Sequence, residues 1–273
     1  MRFNRSLFYK LLSLFIVLIG LSASVYVGLS IKHSNENSLV ERVNTLSKVI
    51  LGDDIVLLNG NEFDLENTSY QKIKDLLVSI RSVNHDVRFI YINGIKDGKI
   101  FFFVDSEEIS SHDYSPPGEL YEEATPFMYK VFDDGKNYLD ISRDRWGYWF
   151  SAYAPILNRE NKPIALIGID IPANSYIANI LVNASLPLLI MFVFLIIIYF
   201  TKRSDDKERI YLDKRSKFLS MVTHDIRNPL TGIKWSSESM SKDVSINDKN
   251  KQALVDINKV TTGMIDKINN FKF

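Results

Sequence analysis

Two long apolar runs without charged side chains constrain this chain more than any other feature. They cover residues 11–31 and 177–201. A helix needs about 20 apolar residues to cross the hydrocarbon core of a bilayer, and each run is long enough. A cleaved signal peptide is the alternative for the first run, but its apolar region is usually about 7–15 residues and ends at a small-residue site. Here Ser22, Ala23 and Ser24 lie in the middle of the run, which favours an uncleaved anchor.

Charge is distributed unevenly around these runs, although the formal net charge is zero. Arg2, Arg5 and Lys10 precede the first run. Residues 32–176 carry 15 basic and 23 acidic residues, and residues 202–273 carry 15 basic and 10 acidic. Because basic flanks of membrane spans stay in the cytoplasm, we expect both termini in the cytoplasm and the acidic middle segment outside. Its acidity also argues against a nucleic-acid partner.

The chain has no cysteine, and its histidines are dispersed. The lack of cysteine excludes a disulfide scaffold, a cysteine nucleophile and a thiolate zinc site. His33, His85 and His112 have no second histidine or carboxylate at the spacing of metal ligands, so no metal site is expected.

The middle segment predicts an α+β domain. From residue 32 to about 51, apolar residues recur at helical spacing and continue the first span as a helix. Five short β-like runs follow, bounded by turn residues such as Asp97-Gly98. The predicted strands are Val87–Ile92, Ile100–Val104, Asn137–Ile141, Tyr148–Ile156 and Ile164–Ile171.

Sequence motifs in this segment resemble those of the extracytoplasmic Cache (PAS-like) sensor domains of bacterial receptors. The most specific are D-R-W-G-Y-W-F-S-A-Y-A-P-I from Asp144 and I-A-L-I-G-I-D-I-P-A ending at Ala173. The resemblance implies an unknown small extracellular ligand in a pocket on the sheet. We expect that pocket near Trp146, Tyr148, Tyr153 and Asp170. The alternative is that the aromatic residues fill the core and Asp170 only ends a strand.

Apolar residues after the second run predict an antiparallel helical hairpin. Two helical stripes are separated by the polar stretch 241–250. A two-helix hairpin cannot bury its seam alone, so pairing with a second copy predicts a homodimeric four-helix bundle. A generic coiled coil would also explain the stripes. The stripe residues are Leu212, Leu219, Val222 and Ile226, then Leu254, Ile257, Thr261, Met264, Ile268 and Phe271.

The first of these helices contains F-L-S-M-V-T-H-D-I-R-N-P-L, from Phe218 to Leu230. His224 lies about 200° around the helix from Val222, so we expect its ring to be exposed. Pro229 in mid-helix costs about 3 kcal/mol, which a plain coiled coil has little reason to tolerate. The string resembles the H-box of sensor histidine kinases, within their dimerisation and phosphotransfer domain.

This resemblance implies a role for each polar residue of the motif. His224 would be the phosphoacceptor, attacking the γ-phosphate of ATP. Asp225 would accept a hydrogen bond from the other ring nitrogen, and Asn228 would orient water for phosphatase activity. Pro229 would bend the helix. The phosphoryl group would pass to an aspartate of a response-regulator receiver domain.

A full histidine kinase continues with an ATP-binding domain that has glycine-rich segments, and no phosphate-cradling loop follows Gly232 in this sequence. ATP and Mg²⁺ are expected for the full kinase and none is expected to bind this chain. We expect a fragment of a kinase or, alternatively, a receptor phosphorylated in trans. A non-catalytic Cache receptor or adaptor that signals by helix movement is the second functional class. A transporter is disfavoured because the two spans contain no charged residue.

The sequence therefore predicts an α+β membrane receptor with two transmembrane helices, a PAS-like antiparallel-sheet sensor domain outside, and a helical-hairpin dimerisation and phosphotransfer domain inside. The expected location is the bacterial inner membrane. The predicted parts are a tail (1–10), a first span (11–31), a sensor domain (32–176), a second span (177–201), a linker (202–212) and the phosphoacceptor domain (213–273).

Overall fold

A computed structural model describes residues 5–242 and 247–270 of the chain. Arg2, Phe271 and part of the polar stretch 241–250 lie outside the described residues. The chain divides into two units, Leu14–Val193 and Met1–Ser13 with Phe194–Phe273, which are described in turn.

The elements alternate between helices and a single antiparallel sheet. The helices are α1 (Arg5–Val49), α2 (Gly52–Val56), α3 (Thr68–Val83), α4 (Pro126–Asp134), α5 (Ala173–Ser241) and α6 (Asp248–Asn270), with a 3₁₀ turn at Glu62–Glu66. The strands are β1 (Phe89–Lys96), β2 (Lys99–Asp105), β3 (Tyr138–Arg143), β4 (Tyr148–Leu157) and β5 (Pro163–Pro172). The five predicted strands are thus confirmed, with small changes in their ends.

The five strands form one sheet in the order β2-β1-β5-β4-β3, and every neighbouring pair is antiparallel. Asp97 and Gly98 connect β1 to β2 with φ angles of 52° and 73°. Two consecutive positive φ angles are typical of the tight turn that matches the twist of a hairpin. The chain reaches β5 from β4 through Asn158–Lys162, where the Asn158 side chain accepts hydrogen bonds from two main-chain N–H groups.

Each face of the sheet has its own hydrophobic cluster. On one face, Ile90, Ile92 and Ile167 pack with residues of α1 and α3, including Val43 and Leu77. This confirms that the helix of the first apolar run continues into the sensor region. The other face holds an aromatic-rich cluster, described below, together with residues of α4.

Two of the helices, α1 and α5, are long and apolar enough to cross a membrane, among the residues that the structure describes. Their apolar portions contact each other within the first unit. The Ser24 hydroxyl donates to the Ala184 carbonyl at 2.7 Å, and Gly20 lies so close to Met191 that an added Cβ would be 2.7 Å from its side chain. Small residues allow this close approach of two apolar helices.

The second unit contains the C-terminal part of α5, followed by α6. Helix α5 continues through Pro229 as far as Ser241. Ser237 on α5 and Thr261 on α6 are buried.

Candidate functional site

His224 projects from α5 into solvent. Its side chain is 69% exposed, as expected from its angular separation from the half-buried Val222. The Nδ1 atom lies 3.4 Å from Oδ1 of Asp225, a long hydrogen-bond distance. This neighbour favours the tautomer with the proton on Nδ1, which leaves Nε2 as the free, nucleophilic nitrogen.

Asn228 and Pro229 follow on the same helix. Asn228 is exposed and lies four residues, or about 40° of helix rotation, beyond His224. Proline has no N–H, so Pro229 cannot bond the carbonyl four residues earlier, which is that of Asp225. The residues of the motif therefore share an accessible side of a locally weakened helix.

The predicted seam around this motif is only partly buried in a single chain. Leu219, Val222 and Leu254 are half-buried and Thr261 is buried, whereas Leu212 and Ile226 are exposed. Three seam residues, Ile226, Ile257 and Met264, belong to an exposed apolar stripe at heptad spacing, which is typical of helices that pair with further helices. This stripe comprises Ile226, Ile233 and Met240 on α5 and Ile257, Val260 and Met264 on α6.

A second candidate site is a small cavity of about 20 Å³ on the aromatic face of the sensor sheet. Its walls combine aromatic rings with carboxylates. The lining residues are Phe89, Tyr91, Phe102, Asp105, Asp113, Ser115, Tyr121, Asp144, Trp146 and Asp170.

The structure brings two of the four expected pocket residues together. Trp146 and Asp170 line the cavity. Tyr153 is buried on the same face in the aromatic cluster, but it is not among the lining residues. Tyr148 packs with the cluster on the opposite face, which corrects its grouping with Trp146. Side chains alternate between faces along a strand, so Tyr148 and Trp149 of β4 must point in opposite directions.

Asp170 carries the most perturbed carboxyl group of the cavity. Its side chain is 2% exposed, and burial raises its pKa to about 7. The Tyr91 hydroxyl donates to Oδ1 at 3.2 Å, and hydrogen bonds from hydroxyl groups, including that of Ser151, oppose the increase. A buried carboxyl group therefore faces the cavity with neutral donors around it.

Asp105 and Asp144 are held by main-chain and side-chain donors. Asp105 accepts from the N–H groups of Glu107 and Ser115 at 3.0 and 2.9 Å, and burial raises its pKa to about 6. Asp144 accepts from the N–H of Trp146 and the indole N–H of Trp149 at 2.9 and 2.8 Å. Sequence reasoning missed both as pocket residues, although Asp144 begins the motif D-R-W-G-Y-W that it did identify.

The loop after β2 is fastened to α3 and β1. Lys74 donates to the main-chain carbonyls of Asp105 and Glu107, and burial lowers the pKa of its ammonium group. The Glu107 carboxylate pairs with Arg81 and Arg88. These contacts fix the wall of the cavity that carries Asp105. Across residues 5–242 and 247–270, no three acidic or histidine side chains come together as a metal site.

Residues 214–272 match the family model of the His Kinase A (phospho-acceptor) domain. The match contains His224, Asp225 and Asn228. The matched segment follows the two candidate spans and the antiparallel sheet along the chain. A comparison with curated proteins gives no match.

Several solved sensor domains are similar in shape. The ligand-binding domain of the Campylobacter jejuni chemoreceptor Tlp3 in complex with 4-methylisoleucine is 13% identical, with a TM-score of 0.46, covering 62% of this chain and 63% of that one. The Escherichia coli DcuS sensor domain is 12% identical, with a TM-score of 0.38, covering 53% and 96%. The extracellular domain of the histidine-kinase candidate soHK1S-Z6 is 13% identical, with a TM-score of 0.43, covering 63% and 66%. The chain spans less than two thirds of the first and third of these.

Proposed function

We propose that this chain, which carries a His Kinase A phospho-acceptor domain, is the receptor half of a two-component system in a bacterial inner membrane. The sensor sheet lies outside and takes up a small ligand in the cavity that Trp146 and Asp170 line. Both termini lie in the cytoplasm, where a phosphoryl group is attached to His224 and then passed to an aspartate of a response regulator.

The chemistry at His224 follows from its exposed ring. The Nε2 lone pair attacks the γ-phosphorus of ATP, the bond to the bridging oxygen breaks, and ADP leaves. The ring then carries the proton on Nδ1 and the phosphoryl group on Nε2. Asp225 is adjacent to Nδ1, so its negative charge stabilises the positive charge that forms on the ring. ATP and Mg²⁺ are held by an ATP-binding domain, and this chain supplies the acceptor.

Asn228 serves the opposing phosphatase activity in this proposal. Its amide group orients the water that attacks the phospho-aspartate of the bound regulator. The exposed position of Asn228, about one turn from His224, gives a docked regulator access to both side chains.

One observation carries the proposal, namely an exposed His224-Asp225 pair inside the matched phospho-acceptor segment. A non-catalytic receptor that signals only by helix movement has no use for an exposed imidazole beside a carboxylate.

The test is phosphorylation of the whole chain in lipid nanodiscs. The chain is incubated with γ-labelled ATP, Mg²⁺ and the ATP-binding domain of a sensor histidine kinase. Wild type is expected to gain acid-labile label and His224→Ala none. His112→Ala, which alters another exposed histidine, is expected to label like wild type. Equal labelling of His224→Ala would overturn the assignment of the phosphoacceptor.

A further inference from the structure

A proline interrupts the hydrogen bonding of α5 inside the second apolar run. Pro187 lies near the middle of residues 177–201, and α5 is helical on both sides of it. Because proline has no N–H, the Asn183 carbonyl, four residues earlier, lacks its usual helical donor. Sharp bends of helices occur at such positions. Residues 183–187 therefore form a weak turn within the apolar part of α5.

Helix α1 donates a hydrogen bond to this weak turn. The Ser24 hydroxyl donates to the Ala184 carbonyl at 2.7 Å. Ser13, Ser185 and Thr201 instead donate to carbonyls of their own helices, as hydroxyl groups in helices often do. Side chains of a neighbouring helix can satisfy main-chain groups around a proline within a membrane. The bond from Ser24 therefore fastens α5 to α1 at the turn that Pro187 weakens.

Glycine residues of α1 hold the two helices close together on either side of this bond. A Cβ added to Gly28 would lie 3.4 Å from that of Ala184. A Cβ added to Gly20 would lie 2.7 Å from the Met191 side chain. Gly20, Ser24 and Gly28 are spaced four residues apart, so they share one face of α1. The Ser24 hydroxyl is therefore held at the weak turn by close packing before and after it.

We propose that Pro187 is a hinge of the second span and that Ser24 is its latch. While the bond from Ser24 is made, α5 keeps one bend at residues 183–187. When a signal shifts α5 along α1, the bond breaks and the bend changes. Because α5 is one helix from Ala173 to Ser241, this change redirects the part that follows, which carries His224. This inference rests on the signalling role proposed above.

The first experiment measures the bend in the whole chain in nanodiscs by pulsed electron paramagnetic resonance. Spin labels are attached to Leu11→Cys on α1 and Phe200→Cys on α5, both at exposed positions. Dilution with unlabelled chain restricts the measured distances to single chains. Phe200 lies 13 residues beyond Pro187, or about 20 Å, so a change of about 20° in the bend moves it by about 7 Å. Ser24→Ala is expected to shift the distance by about this amount.

The decisive comparison repeats this measurement without the proline. Pro187→Ala restores an N–H that bonds the Asn183 carbonyl, so adding Ser24→Ala to this variant is expected to leave the distance unchanged. Ser22→Ala is the matched control, because Ser22 is exposed and lies about 200° around α1 from Ser24. It is expected to give the wild-type distance. No shift in Ser24→Ala, or an equal shift with and without Pro187, would overturn the proposal.

Labelling of His224, as described above, separates this proposal from the proposed function. Ser24→Ala is expected to change the initial labelling rate about 3- to 20-fold, the effect of one hydrogen bond between helices in a membrane. The same substitution should have no effect on the rate in Pro187→Ala. A distance shift with an unchanged labelling rate would overturn the role of the hinge in signalling. A proline-dependent shift in a chain whose wild type gains no label supports the hinge and counts against the proposed kinase function.

Discussion

The Tyr91 hydroxyl reaches the Asp170 carboxylate, at 3.2 Å, across the β1–β5 pair because the residue opposite Tyr91 is a glycine. Gly168 is the cross-strand partner of Tyr91, and a Cβ added there would lie 2.4 Å from the Tyr91 ring. The ring therefore lies over the bare backbone of β5, and its hydroxyl extends two residues along that strand. Because Gly168 has no side chain, the Tyr91 ring can lie against β5 and form part of the cavity wall.

Gly168→Ala is expected to displace the Tyr91 ring and to destabilise the sensor domain. Inserting a methyl group into a packed core typically costs about 1–3 kcal/mol. At this position the added methyl group would meet the buried ring of Tyr91. Thermal unfolding followed by near-ultraviolet circular dichroism measures the loss. An unchanged melting temperature would show that the ring can move away at no cost.

The stability of the sensor domain is expected to fall between about pH 4 and pH 7 because of Asp170. Burial raises its pKa to about 7, whereas an unfolded aspartate has a pKa of about 3.9. Between these values the folded domain holds a proton that the unfolded chain releases, so stability decreases as the pH rises. The charged or titratable groups facing Asp170 are Tyr91, Tyr121, Tyr153, Asp140 and Asp144.

Asp170→Asn is therefore expected to have a larger free energy of unfolding than wild type at pH 8 and to lose this advantage at pH 4. Burial raises the pKa of Asp105 to about 6. Asp105 is therefore expected to cause a smaller decrease in stability between pH 4 and pH 6 in both proteins. Urea unfolding across this range measures the difference. A constant difference between the two proteins from pH 4 to pH 8 would contradict the role of Asp170 ionisation.

The strands could be predicted from sequence because apolar runs and turn pairs are local signals. Asp97-Gly98 and Asn158–Lys162 mark hairpins without any knowledge of the rest of the chain. Helix α3 was not predicted, although Tyr70, Ile73 and Leu77 recur at helical spacing and are buried. That pattern could have revealed it.

The composition of the cavity was harder to predict because it depends on which strands are neighbours. In the observed order β1 lies beside β5, which brings Tyr91 close to Asp170. Asp144 is contributed by a loop, where no periodicity indicates the direction of a side chain. His224, by contrast, could be assigned to an exposed helix face, because that needs only the rotation per residue of a helix.

The orientation proposed for the membrane can be tested by cysteine labelling because this sequence has no cysteine. Ser110 in the sensor domain and Ser239 near the end of α5 are both exposed. In intact cells, a membrane-impermeant maleimide is expected to label Ser110→Cys and not Ser239→Cys. Lysed cells serve as the control, in which both should be labelled. The reverse pattern in intact cells would place His224 outside and remove its access to ATP.

The homodimer can be tested by disulfide cross-linking in the same cysteine-free chain. Ile226 and Ile233 belong to the exposed heptad stripe of α5, which pairing with a second copy is expected to cover. Ile226→Cys or Ile233→Cys in membranes should therefore form cross-linked dimers on mild oxidation. Trp235→Cys, on the same helix and exposed, is rotated about 200° from Ile233 and should cross-link less. Equal cross-linking at all three positions would indicate random collision.

Asp225→Asn is expected to slow phosphorylation of His224 without affecting folding. The carboxylate lies 3.4 Å from Nδ1 and is exposed, so its loss removes the charge that stabilises the phosphorylated ring and leaves the core intact. The initial labelling rate should fall about 100-fold or more, the lower range for groups that assist proton transfer. Asp213→Asn is the control, since Asp213 is an exposed aspartate of the same helix that pairs with Lys217. It should label like wild type. If Asp225→Asn labels at the wild-type rate, the ring of His224 is oriented without its neighbouring carboxylate.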